Sequence, residues 1–311
     1  MQRRGGAPVK QFVPMLARYA GIDDQALLEN DVRLHLLLED LVNDDRIAEH
    51  LLFKGGTSLI KCHLHYPRFS TDIDFTWDHP DAWHEMGTNE LRRTLRPIQR
   101  DLLDIIEEHA DAHGLSFDPE SPEDVQYGQS NKLMTIILHY ETLGGIPRIL
   151  KLQFNFLEHL LYEPQHAQAH SLLADDIPDE LAVLDSQFPD RYATPVAVRT
   201  YDPRELLAEK GRAVLTRQAT KVRDVLDLFL IETELGHPVA DHEGDILEKT
   251  SAAVDRAQRY EEQLDLVDER FQALIEDDVE PLLLEPIDEA AFEEHRRHVV
   301  DVLDRVADKL A

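Results

Sequence analysis

Cysteine is almost missing from this chain. Cys62 stands alone, which excludes an internal disulfide and any thiolate metal cluster and fits a reducing compartment. We read it as a small buried filler. Long apolar runs are also missing. No stretch approaches the roughly 20 residues that cross a bilayer, and the opening Met1-Gln2-Arg3-Arg4-Gly5-Gly6 leads into no signal-peptide core. We therefore expect a cytoplasmic protein with no membrane partner. Basic residues are scarce: 32 lysines and arginines face 62 aspartates and glutamates, a formal charge of −30, and only nine of the 32 are lysine. Such a surface suits a high-salt cytoplasm or is simply acidic. In either case the overall field repels nucleic acid, so an RNA partner needs a local basic patch or screening salt.

What is present supports a real core. The 311 residues are 42% hydrophobic, enough for one large domain or two ordinary ones, and no internal repeat or low-complexity linker interrupts them. From Asn30 to about Leu52, apolar residues recur at helical spacing, predicting one or two amphipathic helices. Gly55-Gly56 followed by Thr57-Ser58 reads as a tight turn capped into a short helix. Asp72-Ile73-Asp74-Phe75-Thr76-Trp77 alternates with a period of two, predicting a strand with both aspartates on its wet face.

Further along, Leu91–His109 is an amphipathic helix interrupted or restarted near Pro97, and 114–129 is loop-like. Leu133–Tyr140 and Arg148–Phe156 read as a β-hairpin, with Lys151, Gln153 and Asn155 forming a polar stripe on its second strand. Beyond an acidic, proline-punctuated segment, Ala193–Val198 is a short strand. Asp202-Pro203 then caps a helix running to about Arg217, and a second helix spans Lys221–Glu234. The rest, from about 250, is charged and helical in pattern.

Two aspartates at i and i+2 on a strand converge on one side, where they can share divalent cations, as phosphoryl-transfer chemistry requires. Alone, such a pair also arises as a solvated strand face. The Gly-Gly-Thr-Ser turn upstream presents backbone N–H groups and a hydroxyl suited to phosphate, although paired glycines more often mark an ordinary turn.

Together, Phe53-Lys54-Gly55-Gly56-Thr57-Ser58-Leu59 and Arg68-Phe69-Ser70-Thr71-Asp72-Ile73-Asp74-Phe75 closely resemble the AbiEii/AbiGii toxin family of nucleotidyltransferases. Downstream, Glu205-Leu206-Leu207-Ala208-Glu209-Lys210 with Arg217, then Arg223-Asp224-Val225-Leu226-Asp227-Leu228, resemble that family's helical motifs. The resemblance implies an α+β, polymerase-β-like nucleotidyltransferase core, a mixed sheet flanked by helices, over residues 1–200. A helical region, 201–311, completes the active site. It further implies transfer of a nucleoside monophosphate from a nucleoside triphosphate with Mg²⁺ or Mn²⁺, an RNA acceptor such as tRNA, and a toxin role in a toxin–antitoxin or phage-defence pair with a cognate antitoxin protein. By residue, Gly55, Gly56, Thr57 and Ser58 bind nucleotide, Asp72 and Asp74 ligate metal, and Lys210 and Asp224 complete the catalytic set.

Several positions carry alternatives. Lys210 shares a helical stripe with Leu206, Ala213, Val214 and Arg217. Its ammonium either snorkels to a triphosphate or pairs with one of the many acids. Asp224 belongs to the site or to a surface pair with Lys221 or an arginine, and Arg68 contacts phosphate or pins its loop to the two aspartates. His63 and His65 share no helical face, which argues against zinc. The fold ordinarily supplies a third carboxylate from a neighbouring strand, where this chain offers Gln153, a neutral third-ligand position. A protein hydroxyl as acceptor, and a catalytically degenerate nucleotide- or protein-binding module, are the competing readings.

Overall fold

The computed structural model describes residues 6–64, 66–173, 177–182, 184, 188–217, 221–256, 282–284 and 286–310. His65, and the part of the expected C-terminal helices over 257–281, lie outside the described residues. The chain forms two compact units: the first comprises 1–62, 69–158 and 166–200, the second 63–68, 159–165 and 201–311.

The first unit opens with helices α1 (Gly6–Ala20) and α2 (Gln25–Val42). α2 starts earlier than apolar spacing predicts because Asp24 caps it, its carboxylate accepting the N–H groups of Ala26 and Leu27 at 3.0 Å each. Then follow β1 (Leu51–Lys54), the short α3 (Gly55–Ser58), a π-helical turn over Leu59–His63, and β2 (Asp72–Trp77). α4 (Thr88–Ala112) runs uninterrupted through Pro97, correcting the expected break. Pro97 is on the exposed side of the helix, where water can satisfy the carbonyl that loses its N–H partner.

Strands β3 (Val125–Gly128), β4 (Leu133–Glu141), β5 (Pro147–Asn155) and β6 (Gln165–Ala169), short helices α5 (Asp179–Ala182) and α6 (Phe188–Ala193), and β7 (Val196–Thr200) complete the unit. The seven strands form one mixed sheet in the order β3-β4-β5-β2-β1-β7-β6. β2 is antiparallel to β1 and parallel to β5. One sheet face carries Ile73, Phe75, Leu152, Phe154, Met134 and Ile136. It packs with the leucines of α2 and α4 into a continuous core, with Phe75 stacked on Phe154 at 5.5 Å. Cys62 packs at the core's margin, half-buried, and burial pushes its thiol up to about 12. The other face of β2 and β5 is polar.

The second unit is helical: α7 (Pro203–Thr216), α8 (Val222–Leu235), α9 (Glu243–Arg256) and α10 (Glu289–Leu310). Asp202 caps α7 by accepting the Arg204 N–H at 2.9 Å. Gly211 lets α7 and α9 approach closely, since a Cβ there would come within 2.8 Å of Ile246. Two short segments from earlier in the chain join this unit through specific bonds. Glu205 accepts the N–H groups of Leu161 and Tyr162 at 2.8 and 2.9 Å and pairs with buried Lys249 at 2.5 Å. Leu284 N–H donates to the Pro67 carbonyl at 2.9 Å. Among the described residues no helix is long and apolar enough to cross a membrane.

Candidate active site

The pleat of β2 sends Ile73 and Phe75 into the core, so Asp72 and Asp74 share the opposite face, both half-buried. Register extends that face sideways. Lys54 of β1, Asp74 of β2, Gln153 of β5 and Thr135 of β4 lie abreast, with Asp72 and Lys151 abreast in the adjacent row. Gln153 thus stands beside Asp74 on its face, its amide Nε2 donating to Thr135 Oγ1 at 3.1 Å. Lys54 pairs with Glu158 at 3.6 Å, and Glu158 accepts from Asn155 Nδ2 at 2.6 Å.

The glycine turn is built onto this pair. Gly55 has φ +76, and a Cβ there would sit 2.5 Å from Asp74 Oδ2, so only glycine lets the carboxylate lie against the backbone. The Thr57 hydroxyl donates to the backbone carbonyl of Asp72 and shares a hydrogen bond of 2.7 Å with the Ser70 hydroxyl. Ser58 is fully buried and shares a hydrogen bond of 2.5 Å with Thr200 Oγ1. Both hydroxyls are thus engaged within the protein, Ser58 being the one expected to offer its hydroxyl to phosphate. What the turn presents outward is the backbone of Gly55 and Gly56, at a helix start whose first N–H groups have no intrahelical acceptor.

Lys210 and Asp224 meet in the second unit. The Lys210 ammonium lies 2.8 Å from Asp224 and 2.6 Å from Asp227. Arg68 grips Asp227 through its Nε and Nη2, at 2.7 to 3.0 Å, and Arg217 donates to Asp224. Asp227 is fully buried and Asp224 is 2% exposed. Burial opposes the charge on Asp224, but Lys210 and Arg217 outweigh it and hold its carboxyl at about 2. Burial also opposes the charge on Lys210, yet Asp224 and Asp227 raise its pKa. The ion-pair alternative for Lys210 thus describes its surroundings, although one of the three ammonium N–H donors is not needed by those two acids. Asp224 pairs in the interior with Lys210 and Arg217, not in the surface pair three or four residues along the helix that was its alternative. Arg68 pins its loop to Asp227 of α8. The signal for Asp227 was its i,i+3 spacing from Asp224, which puts both on one helix face.

His63 Nε2 lies 3.1 Å from the Tyr201 carbonyl. No group of three metal-binding side chains occurs among the described residues, so no third acid joins Asp72 and Asp74. Two oxygen-donor carboxylates on one face, with a neutral amide beside them, still suit a hard divalent ion that takes its remaining ligands from water and phosphate.

The profile of the nucleotidyl transferase AbiEii toxin family, of type IV toxin–antitoxin systems, matches residues 36–310. Among solved structures, the chain is similar to MenT4, a nucleotidyltransferase toxin from Mycobacterium tuberculosis H37Rv. The TM-score is 0.54 with 21% identity, over 99% of this chain and 93% of that one, so the two share a fold. No curated protein matches the sequence significantly. With its mixed sheet, glycine turn and strand-borne aspartate pair, the chain belongs to the AbiEii nucleotidyltransferase toxin family of type IV toxin–antitoxin systems.

Proposed function

We propose that the protein transfers a nucleoside monophosphate from a nucleoside triphosphate to a hydroxyl of an RNA acceptor, tRNA being the first to test, and that Asp72 and Asp74 are its catalytic pair. The observation that carries this reading is the fit of Gly55 against Asp74. It makes the phosphate-binding turn and the carboxylate pair one constructed site, where an ordinary turn and an ordinary solvated strand would be independent. In the reaction, a bond forms between the acceptor oxygen and the α-phosphorus as the bond to the β-phosphate oxygen breaks. Pyrophosphate leaves and the hydroxyl proton is released.

The residues divide this work. Gly55 and Gly56 offer backbone N–H groups to the phosphates, while Thr57 and Ser58 hold the turn through Asp72, Ser70 and Thr200. Asp72 and Asp74 would hold Mg²⁺ or Mn²⁺, which when bound neutralises phosphate charge and acidifies the attacking hydroxyl. Lys210 keeps one ammonium N–H beyond its two acids, and Asp224 keeps it charged and oriented. A type IV system supplies an antitoxin partner for the toxin, and we expect it to be encoded beside this chain.

The −30 charge favours one rival, a protein hydroxyl as acceptor. Incubation with labelled nucleoside triphosphates, Mg²⁺ and total RNA decides the matter. Label in RNA is expected, label in protein selects the rival, and nucleotide binding without transfer indicates a degenerate module.

A further inference from the structure

We propose that Lys151 is an acceptor-binding residue, contacting a phosphodiester of the RNA whose hydroxyl attacks; this rests on the transferase reading above. Sheet order supplies the argument. β2 has β1 and its glycine turn on one side and β5 on the other. In phosphoryl transfer the attacking and leaving oxygens lie roughly in line through the phosphorus. If the leaving phosphates rest on the glycine turn, the acceptor comes in over β5. The residue abreast of Asp72 on that strand and on the same face is Lys151.

Lys151 differs from five of the chain's other lysines. Lys54, Lys61, Lys210, Lys249 and Lys309 each pair with a carboxylate. Lys151 is half-buried, yet its ammonium makes no ion pair or hydrogen bond with another described residue. Partial desolvation of an unpaired ammonium is unfavourable, and a bound anion offsets it. In a chain with twice as many acids as bases, a cation kept unpaired beside a carboxylate pair is suited to an anionic substrate. Two residues along β5 on the same face, about 7 Å away, Ile149 is 52% exposed. It offers apolar surface next to the charge, as a nucleotide with its base and phosphate requires and an acidic side chain does not.

The test is steady-state transfer by the full chain with Lys151→Gln, Lys151→Arg and, as a control for net charge, Lys10→Gln on the exposed side of α1. The RNA substrate is varied at saturating triphosphate, and the reverse. Lys151→Gln is expected to raise KM for RNA about tenfold while KM for the triphosphate stays within about twofold. It should also flatten the dependence of log(kcat/KM) for RNA on log salt by about one. Lys151→Arg restores most of the affinity and Lys10→Gln changes neither constant. If the wild type labels RNA and Lys151→Gln leaves KM for RNA and the salt slope unchanged, or raises KM for the triphosphate instead, this inference falls and the transferase reading stands. A wild type that labels protein and not RNA overturns both.

Discussion

The first unit's sheet face and the second unit's helix pair each bring two aspartates together, by opposite means and to opposite ends. On β2 the spacing is i,i+2, the carboxylates are half-buried, and that of Asp72 makes no ion pair or hydrogen bond with another described residue. On α8 the spacing is i,i+3, and Asp224 and Asp227 are buried among Lys210, Arg68 and Arg217. A buried carboxylate has to be neutralised by the protein itself or the fold is lost. A half-buried one can wait for a ligand. On this contrast we propose that the helix pair holds the second unit together and orients Lys210, and that the sheet pair serves chemistry.

That division can be broken by substitution. The largest effect on folding is expected from Asp227→Ala, which removes the buried carboxylate that Arg68 and Lys210 share. A loss of about 3–5 kcal/mol in urea unfolding follows from removing one partner of a buried pair, and a loss below about 1 kcal/mol would show that the cluster is not structural. Gly55→Ala comes next and acts on both axes. The left-handed φ costs a non-glycine residue about 1–2 kcal/mol, and the added Cβ displaces the Asp74 carboxylate. A misplaced catalytic group costs roughly 10²-fold, so transfer should fall by that much while the protein still folds; unaltered turnover would uncouple the turn from the aspartates.

Gln153→Glu is the smallest and sharpest change. Beside Asp74 a glutamate adds a charged ligand, and the Thr135 hydroxyl can turn to donate to it, so the concentration of Mg²⁺ for half-maximal transfer should drop a few-fold. Without metal the variant should melt slightly lower, because carboxylates in adjacent positions repel. A Mg²⁺ dependence that does not move would remove Gln153 from the ligand shell.

Much of the fold could be read from residue pattern, and the exceptions have physical causes. The period of two in 72–77, 133–140 and 148–156 marks β2, β4 and β5, since each buries one face. β1 is missed because Leu51, Leu52 and Phe53 are all buried, and a strand covered on both faces has no alternation to distinguish it from a helix end. β6, Gln165–Ala169, has almost no apolar residue with which to alternate, and β3 is short and mostly exposed. At the site, strand pattern puts Asp72 and Asp74 on one face and Gln153 on a polar stripe, while the placing of Gln153 beside them rests on the family resemblance. Residue types at Thr57 and Ser58 fit a phosphate turn, but the inward direction of their hydroxyls depends on Thr200 and the Asp72 carbonyl, which only folding brings close. The hold of Arg68 on Asp227 spans 159 residues, and no local spacing can reveal it.

The most direct test of the catalytic assignment is transfer of label from nucleoside triphosphate to RNA by Asp72→Asn and Asp74→Asn at saturating Mg²⁺, with thermal unfolding measured on the same samples. Each variant should lose at least about 10³-fold in rate, while its midpoint without metal stays level or rises as repulsion between the carboxylates is relieved. Activity retained in both variants would contradict the assignment of Asp72 and Asp74 as the catalytic pair.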